Sequence, residues 1–130
     1  MERKVLIVFN LQNKFVNEEN EFVIKHINKL LFENDLIIFI QKIDDKDIIN
    51  YDDDFHDDLE FTLCKRDFYI FKDTKNSNSI FNIKGLKEFL DERDVTDIHI
   101  CGISINKDIQ YSSRDSLFHK YNTSIIYSKL

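Results

Sequence analysis

Val5-Leu6-Ile7-Val8-Phe9 is an unbroken apolar run only five residues long, and it constrains the fold more than any other feature. A segment apolar at every position is covered on both faces, and at this length it reads as a parallel strand. Leu36 to Ile40 repeats the pattern as a second buried strand, and Asp67 to Phe71, Asp97 to Cys101 and Thr123 to Tyr127 read as three further strands. Between these runs the spacing turns helical. Asn20 to Glu33 places Val23, Ile27, Leu30 and Leu31 on one face, Leu86, Phe89 and Leu90 follow Gly85, and residues 106–120 form a third helix. Strands alternating with helices predict right-handed βαβ units. The expected fold class is α/β, a doubly wound three-layer αβα sandwich on a mainly parallel five-stranded sheet, as one domain over residues 1–130. Ligands of such sheets bind beyond the carboxyl ends of the strands. Asn10, Lys72 and the loop from Gly102 to Asp108 are therefore the positions to watch.

Composition narrows the function classes. The net charge of −6, without a run of basic residues, argues against direct nucleic-acid binding, which needs clustered Lys and Arg. Hydrophobic residues at 42% and twelve Phe supply a core, so this is not a disordered tail. Pro, Trp and Ala are absent and Gly occurs twice, a bias toward AT-rich codons that mutes the usual turn and helix signals. No apolar run approaches the roughly 18 residues of a membrane helix, and Met1 to Lys4 leads directly into a strand without room for a signal peptide. Cys64 and Cys101 have no metal-ligand spacing and build no disulfide framework. A cytoplasmic protein with no cofactor and no metal is the expectation.

Three segments together resemble the isochorismatase-like cysteine hydrolases. Val8-Phe9-Asn10-Leu11-Gln12-Asn13-Lys14-Phe15 is similar to that family's strand followed by Asp-x-Gln-x-x-Phe. Asp67 to Lys72, with Ser79-Ile80-Phe81 downstream, is similar to a strand ending in Lys before Ser-Ala-Phe. His99-Ile100-Cys101-Gly102 running to Asp108, then Ser112-Ser113-Arg114-Asp115, resembles the nucleophile loop and the helix behind it. Gly85 to Leu90 and Val95-Thr96-Asp97 resemble the helix and turn before that loop, so the resemblance covers nearly the whole chain.

The resemblance implies a sheet in the order 3-2-1-4-5 and a catalytic triad of Asp, Lys and Cys. In active members the carboxylate takes the thiol proton, the thiolate attacks a carbonyl carbon, and N–H groups at the helix start hold the oxyanion. Carried over, the triad positions of this chain are Asn10, Lys72 and Asp108. An amide cannot accept the proton, and a carboxylate is a far weaker nucleophile than a thiolate. The resemblance therefore implies a degenerate triad with no catalytic residue, in which Lys72 pairs with Asp108 and Asn10 lies beside them. Gln12, Phe15, Phe81, Ile105 and Asn106 are the candidates to line what remains of a ligand pocket. Members usually continue past the fifth strand, so Ile125, Ile126 and Tyr127 are expected on an edge strand that a protein partner or second copy covers.

The expected function is thus a catalytically inactive domain acting as a structural or interaction subunit of an oligomer or larger complex. A hydrolase with altered chemistry, with Asp108 as general base for a water, and a non-catalytic small-ligand binder are the alternatives. Asp108 also fits an ordinary acid in the first turn of a helix. Cys101 reads as a buried strand residue, and Cys64 gains a lowered pKa only if Lys65 and Arg66 lie against it. The acidic run Tyr51 to Asp58 reads as a solvated or partner-facing loop, since it lacks the spaced ligands of a calcium loop. His26, His99 and His119 share no spacing and read as structural. A flavodoxin-like or other doubly wound domain would show a different strand order, or would put Asn10 and Asp108 on opposite sides of the sheet.

Overall fold

The computed structural model describes residues 3–43, 51–75 and 77–129. Five strands, β1 (Lys4–Phe9), β2 (Ile37–Lys42), β3 (Phe68–Asp73), β4 (Asp97–Ile103) and β5 (Asn122–Lys129), form one sheet in the order β3-β2-β1-β4-β5. Every pairing is parallel. Three helices connect them: α1 (Phe22–Glu33), α2 (Leu86–Glu92) and α3 (Asp108–Phe118). This is the expected three-layer arrangement, and the order separates it from the flavodoxin-like alternative. Residues 44–50, part of the long acidic connection, lie outside the described residues.

Period-two alternation divides each apolar run between two cores. Val5, Ile7, Phe9, Ile38 and Ile40 face Leu86 and Leu90 of α2 and Ile109 of α3. Leu6, Val8, Ile37 and Phe39 face Val23, Ile27 and Leu31 of α1. Full burial of each such side chain stabilises the fold by about 1.5–3 kcal/mol. Phe39 also gathers Phe55, Phe61 and Phe68 at centroid distances of 5.7, 4.9 and 5.3 Å. Phe55 thereby pulls the acidic connection onto the α1-side core.

Several boundaries differ from the pattern-based reading, and each shift has a physical cause. α1 starts at Phe22 because Asn17 and Asn20 form a side-chain-bonded turn ahead of it, with Asn20 Oδ1 accepting from the Asn17 N–H at 2.7 Å. α3 starts at Asp108 because Asn106 and Lys107 adopt left-handed conformations, at φ 52° and 62°. β2 and β3 continue past their last apolar residue to Lys42 and Asp73, which are register partners. That extension decides the composition of the site.

Candidate functional site

Four chain segments converge beyond the carboxyl ends of β1, β2, β3 and β4. Gly102 lies opposite Phe9, at φ 117°, and a Cβ there would collide with the Phe9 carbonyl. Only glycine permits this approach of β4 to β1. The chain then enters the turn that starts α3, while β1 ends in Asn10, itself left-handed at φ 60°. These two unusual backbone stretches bring the Asn10 amide and the Asp108 carboxylate together.

Asp108 is 2% exposed and its carboxylate is heavily engaged. One oxygen accepts from the Ile105 N–H at 2.7 Å and the Ser104 hydroxyl at 3.0 Å. The other accepts from Asn10 Nδ2 at 2.8 Å and faces the Lys42 ammonium at 3.6 Å. Asn10 Nδ2 also donates to the Ile103 carbonyl at 2.9 Å. Both partners of that nitrogen are acceptors, which fixes the amide orientation. Its oxygen is buried without a hydrogen-bond partner.

The lysine of this cluster is Lys42, and the expected Lys72–Asp108 pair is corrected. Lys72 is exposed, while Tyr69 and Phe71 pack inward from β3, so the inward position at the strand end belongs to Asp73. A one-residue change of parity moves a strand side chain to the other face. Lys42 follows Ile38 and Ile40 on the same inward face of β2. Its ammonium donates to Asp73 Oδ2 at 3.0 Å and to the Ser77 carbonyl at 3.3 Å. Asp73 also accepts from the N–H groups of Lys75 and Ser77. Burial pushes the Asp73 carboxyl up, but the Ser77 N–H, the Lys42 ammonium and the Lys75 N–H together outweigh it and hold it below the usual carboxylate range. Two carboxylates thus share one buried ammonium.

Gln12 braces the cluster from below. Fully buried, it accepts from the Lys42 N–H at 2.8 Å and donates to the carbonyls of Lys42 and Asp53 at 2.8 and 2.9 Å. It therefore ties backbone together. The other pocket candidates do not form one wall. Phe15 and Ile105 pack on the α1-side core, Phe81 packs on the opposite core against His119 at 5.0 Å, and Asn106 is exposed in its turn. The acidic run is likewise not wholly solvated. Asp53 turns inward to Lys14 at 2.7 Å, whereas Asp52, Asp54, Asp57 and Asp58 are exposed.

Neither thiol joins the site. Cys101 is fully buried on the α1 side of the sheet, and burial drives its pKa far up. Burial also pushes the Cys64 thiol up, because Lys65 and Arg66 turn to Asp35 instead, at 3.1 and 3.7 Å. Among the described residues, no group of three or more His, Cys, Asp or Glu is arranged to hold a metal ion, and no helix is long and apolar enough to cross a membrane.

The geometry and strand order define the α/β fold of the isochorismatase-like hydrolases, as solved structures show. An isochorismatase-like hydrolase from Alkaliphilus metalliredigens superposes with a TM-score of 0.78 at 22% identity, covering 96% of this chain and 77% of that one. The pyrazinamidase of Pyrococcus horikoshii, solved with zinc, gives 0.78 at 18%, over 95% and 83%. N-carbamoylsarcosine amidase from Thermoplasma acidophilum gives 0.78 at 14%, over 95% and 81%. No protein-family model and no curated protein matches the sequence. At these identities the likeness establishes the fold.

Proposed function

We propose that this chain is a non-hydrolytic domain of the isochorismatase-like fold, serving as a structural or interaction subunit. The observation that carries this reading is the state of Asp108. Its carboxylate occupies the helix start where a nucleophile would be needed, yet it is buried and held by Ser104, Ile105, Asn10 and Lys42. A nucleophile or general base needs a lone pair directed at substrate or water. Here those lone pairs stabilise the loop instead, and neither cysteine supports a thiolate in its place. Ile125 and Ile126, exposed on edge strand β5, support contact with a protein partner or second copy.

A hydrolase with altered chemistry is the second reading, favoured by the fold neighbours, which are named as hydrolases and amidases. Assays with isochorismate, nicotinamide, pyrazinamide and N-carbamoylsarcosine separate the two. The expected result is no turnover above the blank for the wild type. Turnover that disappears in Asp108→Ala, with the variant still folded, would establish the hydrolase. Co-purification with a stoichiometric partner is the positive test of the subunit reading.

A further inference from the structure

A cavity of about 210 Å³ adjoins the polar cluster and shares Asp73 and Ser77 with it. Lys72, Lys75 and Lys84 contribute to its walls, with Thr74 and Asn82 between them. Among the described residues none of these three lysines has an acidic partner. Among the described residues of the lining Asp73 is the one acid, and its carboxylate is already committed to the Lys42 ammonium and the N–H groups of Lys75 and Ser77. Three positive charges are therefore concentrated around one small cavity of a chain whose net charge is −6. The larger cavity at the opposite end of the sheet, of about 960 Å³, lacks this asymmetry. There Arg3, Lys4, Arg66 and Arg93 are matched by as many acids.

We propose that the smaller cavity binds a dianionic oxyanion, the phosphate group of a small phosphomonoester. Ammonium groups act on phosphate as point charges without demanding bidentate geometry, and three of them suit a dianion better than a monocarboxylate. Thr74, Ser77 and Asn82 in the lining are residue types that can add neutral donors. Ile83, mostly buried in the α2-side core, closes the floor with a small apolar contact for a short organic substituent. Placement beside the carboxyl end of β3 agrees with where open α/β sheets take ligands. Solvent-exposed lysines contribute modestly, so binding in the millimolar range is expected. The proposal stands whether or not the neighbouring cluster turns over a substrate.

The test is a titration with inorganic phosphate and with glycerol 3-phosphate at constant ionic strength, read from amide chemical shifts. Saturable shifts centred on residues 72–84 are expected, with binding weakened at least ~10-fold in the triple variant Lys72→Gln, Lys75→Gln, Lys84→Gln. A control that removes the same charge elsewhere, Lys25→Gln, Lys29→Gln, Lys120→Gln, should leave binding unchanged. Tighter binding of glycerol 3-phosphate identifies a phosphomonoester as the source, and equal binding identifies free phosphate. Absence of saturable shifts, or equal weakening in the control variant, overturns the proposal.

Discussion

Asn10 shows how one atom can set the character of a site. Its nitrogen donates to Asp108 and Ile103, which a carboxylate at this position could not do. The cost is a buried, unpartnered oxygen, about 1–3 kcal/mol for such a group. Asn10→Asp would place two carboxylates in contact and raise the pKa of the pair above that of an ordinary acid. The folded variant then binds more protons than the unfolded chain, so its stability falls as pH rises through the raised value. Urea unfolding from pH 4 to 8 should show this variant losing stability with pH relative to wild type. Asp73 behaves in the opposite sense. Its pKa is depressed in the fold, so its contribution is present above the unfolded value near 3.9 and is lost as pH falls through the folded one. Asp73→Asn should therefore weaken the fold at neutral pH and flatten the acid limb of the stability profile below about pH 4, as followed by circular dichroism.

At the scale of elements, the join between β1 and β4 is where the fold tolerates least change. Gly102→Ala adds a methyl that collides with Phe9 backbone and forces a side chain into φ 117°. The backbone strain alone costs of order 1–3 kcal/mol, and the clash adds to it. Chemical denaturation should show a loss of at least ~3 kcal/mol or failure to fold, whereas Gly85→Ala, with open space around it, should lose less. The sequence made β1 and β2 legible because unbroken five-residue apolar runs leave little choice but buried parallel strands, and the helical spacing between runs placed the rest. It did not make the site lysine legible. The ends of β2 and β3 are polar, so apolar patterning stops short of Lys42 and Asp73, and Lys72 differs from the inward position by a single residue. Extending the alternation of Ile38 and Ile40, and of Tyr69 and Phe71, by one more step would have reached Lys42 and Asp73. The left-handed turn at Asn106 and Lys107 left only a weak signal, an asparagine that tolerates positive φ followed by a lysine that gives no hint of it.

On the scale of the whole molecule, two cores flank a sheet whose two edges differ in chemistry. β5 carries no charged residue from Asn122 to Ser128, and Ile125 and Ile126 are exposed by 42% and 37%. Leu117 and Phe118, at the end of α3, are exposed as well. Neutral, apolar edges pair readily with other chains. Sedimentation of the wild type at high concentration should show a species above the monomer mass that Ile125→Lys or Ile126→Lys dissociates. A strictly monomeric wild type without a co-purifying partner would end the subunit reading. The Gln12 side chain adds a different whole-molecule consequence. Its hydrogen bonds pin the end of β2 and the turn at Asp53 to the loop after β1, joining segments 30 and 41 residues apart. The Lys42 amide should then be among the slowest to exchange with deuterium, and the three segments should open as one unit rather than fray separately. In Gln12→Ala their exchange rates should diverge.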